Sequence, residues 1–144
     1  MEKLRLHYVL SLLLMAVLLT ACAKANQKVA VTEDAAEIKF DTLVYDYGTI
    51  LPDTTTTCEF VFHNIGATPL YIESVIPSCG CTKALFPHGG IEPGEAGVIT
   101  TIYDSHNRRP GHFQRSLRVY SNAKTGFCRL TGTGDIAEKP ANKK

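Results

Sequence analysis

Cys79 and Cys81 stand two apart in the string Ser78-Cys79-Gly80-Cys81-Thr82, and this pair is where the chain comes nearest to a chemical site. Three readings compete. As a structural feature it is a tight turn whose small sulfur-bearing side chains pack locally. As a metal site, two thiolates at this spacing can face one soft ion such as Cu or Zn. As a redox site, a disulfide closed over a single residue is strained and therefore readily reduced. His106 and His112 are weaker candidates for completing such a site. Arg108 and Arg109 beside them would lower a thiol pKa, although arginines sit badly next to a cation. The plain alternative for Ser105–His112 is a solvated turn. Cys58 could instead pair with Cys79 or Cys81, and Cys128 is expected as a buried, unpaired thiol.

Other catalytic constellations are missing from the sequence. There is no Ser-His-Asp order, no paired carboxylates in an apolar setting and no H-E-x-x-H zinc motif. No catalytic residue is assigned, no cofactor is established, and the reading is non-enzymatic. Gly132-Thr133-Gly134 is too short to cradle phosphate and is expected to end the last strand. Gly89-Gly90 is turn chemistry.

The chain has 144 residues, enough for one domain. A formal net charge of +1 leaves no basic footprint for nucleic acid. Apolar content of 44% suits a packed core. Five cysteines are too few for a disulfide-dense miniprotein.

The first residues read as an address. Lys3 and Arg5 precede Tyr8–Leu19, in which only Ser11 is polar, the pattern of a secretory signal. That run is shorter than the roughly 20 apolar residues needed to cross a bilayer. Leu19-Thr20-Ala21-Cys22 then resembles a bacterial lipobox, with Cys22 acylated as the new N-terminus. Several acyl chains, palmitate among them, would hold the protein firmly on a membrane. Ala23-Lys24-Ala25 carries no acidic run, so the periplasmic face of the bacterial envelope is the expected location. The implied organisation is a signal peptide over 1–21, lipidated Cys22 and a flexible tether over 22–36, a domain over 37–135 and a polar tail over 136–144. The tether would reach at most about 45 Å when extended.

The elements that must position the cysteines are strands. Ile38–Ile50 is a broken strand, and Thr56–His63 places Cys58, Phe60 and Phe62 on one face. Leu70–Val75, Thr82–Phe86, Gly97–Asp104, Gln114–Ser121 and Phe127–Thr133 follow, separated by turn residues. Seven strands in about 100 residues predict an all-β sandwich. With alternating directions, the connections after strands three and five share one pole. Cys79, Cys81 and Ser105–His112 therefore fall together, with Cys58 at the start of strand two. His88 and Cys128 fall at the opposite pole. Tyr71, Tyr103 and Tyr120 are expected to pack in the core or in cross-strand pairs.

Several motifs occur in one order: Tyr45-Asp46-Tyr47-Gly48, Phe60-Val61-Phe62-His63-Asn64-Ile65-Gly66, Pro69-Leu70-Tyr71-Ile72, Ser78-Cys79-Gly80-Cys81-Thr82, Gly111-His112-Phe113 and Ser121-Asn122. Over about residues 38–134 this resembles the bacterial lipoprotein family of domain of unknown function fifteen-seventy-three, whose hallmark is the Ser-Cys-Gly-Cys-Thr string. The resemblance implies a seven-strand immunoglobulin-like β-sandwich, related to the ASH and major-sperm-protein domains, in exported or lipid-anchored proteins. It implies no activity, and Cys58 and Cys128 lie outside its pattern. The expected function is a lipid-anchored binding or scaffold module with an envelope protein partner. The alternative is a soft-metal or thiol-redox protein that uses Cys79 and Cys81.

Overall fold

The computed structural model describes residues 35–139. The signal stretch, Cys22 and the tether up to residue 34 lie outside the described residues. Two four-stranded sheets face each other. One has the order β1-β3-β6-β5 and the other β2-β8-β7-β4. In chain order the strands are β1 (Ile38–Phe40), β2 (Val44–Ile50), β3 (Thr55–Asn64), β4 (Ile72–Pro77), β5 (Thr82–Leu85), β6 (Ala96–Asp104), β7 (Gly111–Ser121) and β8 (Phe127–Ile136). Among the described residues no helix is long and apolar enough to cross a membrane.

Side-chain alternation explains the layers. Cys58, Phe60 and Phe62 on β3 and Ile99, Thr101 and Tyr103 on β6 are buried from one sheet. Phe113, Leu117 and Val119 on β7 and Leu130 on β8 meet them from the other. Burying each large apolar side chain stabilises the fold by about 1.5–3 kcal/mol, so the facing interior holds the sheets together.

Eight strands are present rather than seven, because the broken first strand changes sheets. Asp41 still donates its amide to Val61 on β3, whereas Leu43 accepts from Thr131 on β8. Between them Thr42 ties its hydroxyl to the backbone of Val44. The chain thus releases one sheet and takes hold of the other within three residues. β2 then runs parallel to β8, the only parallel pairing among the described strands.

The last strand is longer than its glycines suggest. Gly132 and Gly134 lie inside β8, which continues to the buried Ile136. Their lack of a side chain makes room for neighbours. A Cβ at Gly132 would meet the Tyr47 ring at 2.8 Å, and one at Gly134 would meet the Gly48 carbonyl oxygen at 2.8 Å. These glycines therefore admit β2 rather than terminate β8.

The N-terminal approach is also built in. Ala36 is buried, and its carbonyl accepts from Lys124. Ile65 and Ala67 donate to Glu37 and Ala35. A Cβ on Gly66 would collide with the backbone of residues 35–37. The chain therefore enters the sandwich beside Asn64–Ala67. Buried Asn64 organises that pole, donating from its amide to the carbonyls of Thr68 and Ile91 and accepting from Gly66.

Candidate functional site at the cysteine pole

At the end opposite Asn64, β4 stops at Pro77 and the chain turns through Ser78–Cys81 into β5. Ser78 fastens the turn to β7. Its amide donates to the Ser116 carbonyl at 2.8 Å, and its hydroxyl accepts from the Ser116 amide at 3.1 Å. The Asp104 amide donates to the Cys81 carbonyl at 2.9 Å and anchors the other side to the end of β6. Held this way, Cys79 and Cys81 are joined in a disulfide with their Cα atoms 5.3 Å apart. Cys58 is free, so it does not pair with either of them.

The two sulfurs have different surroundings. Cys81 is 6% exposed, whereas Cys79 is only partly covered and lies between exposed Ser78 and Gly80. The buried Thr82 hydroxyl lies 3.6 Å from the Cys79 sulfur and 3.9 Å from that of Cys81. Beneath the turn, Cys81 joins Ile50, Tyr103, Phe113 and Ile136 in a compact apolar group, against which Cys79 packs. Tyr103 stacks on Phe113 at 4.4 Å between ring centroids. The Arg115 guanidinium sits 5.7 Å from the Tyr103 ring centre, at cation–π distance. Tyr103 Oη and Arg115 Nε are both buried without a hydrogen-bond acceptor.

The other sequence candidates are at this pole but engaged elsewhere. The His106 ring is 2.6 Å from Asp104, and the His106 amide and ring together hold that carboxyl below its ordinary pKa. The His112 ring lies 3.5 Å from Asp135 and 3.3 Å from the Thr133 hydroxyl. Arg108 and Arg109 are exposed in the connecting loop. No group of three metal-ligating side chains forms among the described residues. His88 is at the far pole beyond β5 and packs on Phe86 at 4.9 Å. Cys128 is at that pole too, unpaired and only partly buried against the core. Tyr103 is fully buried, whereas Tyr71 is 49% exposed, contrary to its expected packing.

Cys58 is not at the rim. It pairs with Thr101 three residues in from the start of β3, about 10 Å deeper at the rise of a strand. There it belongs to a polar triangle that spans the two sheets. Tyr47 Oη donates to Cys58 Sγ at 3.1 Å, Thr101 Oγ1 lies 3.0 Å from that sulfur, and Tyr47 Oη lies 3.0 Å from Thr101 Oγ1. Three groups with one hydrogen each can close such a ring with every donor used. Burial first, and then the bond to Cys58, push the Tyr47 phenol well above its ordinary value of 10.0. No feature of the sequence joins these three positions; only the tyrosine in the Tyr45-Asp46-Tyr47-Gly48 motif hinted at the ring.

Two shallow depressions flank the cysteine turn. One, lined by Thr55, Gly80, Cys81, Lys83, Ile102 and Asp104, holds about 120 Å³. The other, lined by Ile76, Pro77, Ser78, Ser116, Arg118 and Arg129, holds about 130 Å³. Pockets for small-molecule substrates run from roughly 300 to 1,000 Å³, so each is too small to enclose one.

A family model described as a protein of unknown function, DUF1573, matches residues 38–136. The chain belongs to this family. No curated protein sequence matches the chain. Its fold is similar to a solved protein of unknown function from Porphyromonas gingivalis W83, with a TM-score of 0.62 and 17% identity over 76% of this chain and 51% of that one. The chain thus spans about half the length of that protein. It is also similar to the ASH/PapD-like domain 7 of human CEP192, with a TM-score of 0.58 and 12% identity over 74% of this chain and 89% of that one. The YadV chaperone aligns with a TM-score of 0.54 and 14% identity over 74% of this chain and 55% of its own. These likenesses establish the immunoglobulin-like sandwich for the family member described here.

Proposed function

We propose that this family member is a non-enzymatic binding module, lipid-anchored through Cys22 on the periplasmic face of the bacterial envelope. Its partner is an extended segment of another envelope protein, which pairs with the free edge of β2. The observation that carries this reading is the edge itself. β2 ends its sheet, and Leu43, Val44 and Tyr45 are exposed there by 50%, 55% and 36%. An edge that opens on three exposed apolar side chains, with Asp46 the one charge along it, invites strand addition. The entry of the chain beside Asn64 supports an orientation in which the cysteine pole faces away from the membrane. A photo-crosslinking residue placed at Val44 should yield a discrete adduct in intact envelopes, and one at Lys83 on β5 should not. Equal labelling at both positions, or none at Val44, would remove the reading. Cys22→Ala should abolish palmitate incorporation and release the protein from the membrane fraction.

A second reading, thiol redox at Cys79 and Cys81, is favoured by the disulfide between them. Binding of Cu or Zn by the same pair would require both sulfurs as thiolates. Metal analysis of reduced and oxidised protein, with a Cys79→Ser/Cys81→Ser variant beside them, separates the two uses. Stoichiometric metal in the reduced wild type alone would favour the ion.

A further inference from the structure

We infer that Cys79–Cys81 is a directional thiol–disulfide exchange site that accepts two electrons from a dithiol, with Cys79 as the sulfur attacked. The inference rests on the thiol-redox reading above and adds to it the direction, the leaving group and the substrate class.

A thiolate must approach a disulfide in line with the S–S bond from the side of the sulfur it attacks, so access selects the target. Cys79 is partly open, whereas Cys81 is 6% exposed and embedded with Tyr103 and Phe113. Between them Gly80 is exposed, and beyond its chain neighbours a Cβ there would meet nothing within 4 Å, so no other part of the domain caps the turn at that point. Neither of the remaining free cysteines of the domain can intervene. Cys58 is buried in the ring with Tyr47 and Thr101, and Cys128 is at the far pole.

The leaving side is provisioned for charge. Attack on Cys79 makes Cys81 the departing thiolate, and a stabilised thiolate departs faster. The Thr82 hydroxyl is already within reach of both sulfurs. The same hydroxyl is 3.9 Å from Cys81 Sγ and can donate to a thiolate formed there, which the disulfide sulfur needs less.

The exchange balances as follows. One thiolate of the dithiol bonds to Cys79 Sγ, the Cys79–Cys81 bond breaks, and its electron pair leaves on Cys81. The second thiol of the dithiol, deprotonated, attacks its own partner sulfur and expels the Cys79 thiolate. The dithiol departs as a disulfide, having lost two electrons, and the two protons it releases return to Cys79 and Cys81.

The test uses the full chain with dithiothreitol as the dithiol and glutathione as a monothiol that stops at the mixed disulfide. Dithiothreitol should open the disulfide, and after acid quenching and peptide mapping glutathione should sit on Cys79 in about tenfold or greater excess over Cys81. Cys81→Ala should likewise react with oxidised glutathione about ten times faster than Cys79→Ala. If a variant does not fold, mapping of the wild type alone decides. Glutathione shared equally, or found mainly on Cys81, would overturn the direction while leaving the redox reading in place. A disulfide that resists both reagents while the urea-unfolded chain is reduced would overturn both.

Discussion

Tyr47 crosses the interior because Gly132 yields it the space and because Cys58 and Thr101 give its hydroxyl something to bond. Its raised pKa has a definite sign for stability. The unfolded phenol titrates near 10.0 while the folded one holds its proton to higher pH, so this contribution is complete below pH 10 and drains away as pH rises above it. Urea titrations across that range should show stability falling more steeply in the wild type than in Tyr47→Phe. At neutral pH that variant should lose about 0.5–1.5 kcal/mol, the ordinary value of one hydrogen bond. Parallel curves in alkali would mean the phenol is not protected. At this scale the sequence was informative only where partners are neighbours in the chain. Cys79 and Cys81 announce themselves by spacing, whereas Tyr47, Cys58 and Thr101 come from three strands in two sheets and share no local pattern.

Among the elements, β3, β6 and β7 were legible because β-prone residues run between turn residues, with inward positions two apart as at Phe60 and Phe62, Ile99 and Thr101, and Leu117 and Val119. The division of Ile38–Ile50 was not, since neither Gly nor Pro marks the crossing at Asp41–Leu43. Residues 35–37 were hidden for another reason. Small residues such as Ala35 and Ala36 look like tether, whereas Gly66, bare enough to let a backbone lie on it, and the amides of Ala67 and Lys124 bring them into the domain. Gly66→Ala should push this segment off. Amide exchange at Ile65 and Ala67, which donate to Glu37 and Ala35, should then accelerate, while Phe60 and Phe62 within the β3–β6 ladder stay protected. Unchanged exchange at Ala67 would show that the segment is not held by this contact.

The described domain is held by the facing interior of its two sheets, and Phe60 in the larger of its two buried groups has no exposed surface. Phe60→Ala should cost about 3–5 kcal/mol, a large part of the roughly 5–15 kcal/mol available to a domain of this kind. A midpoint in urea near that of the wild type would place the centre of the fold elsewhere. The arrangement of the sheets also bears on how the chain can mature. β8 is the last of the described strands in chain order, yet it sits between β2 and β7 and is the sole lateral neighbour of β2. A ribosome or secretion channel still gripping residues 127–136 therefore leaves β2 without a strand to pair with, whatever has already emerged. Release of that segment is what lets β2 be locked into its sheet.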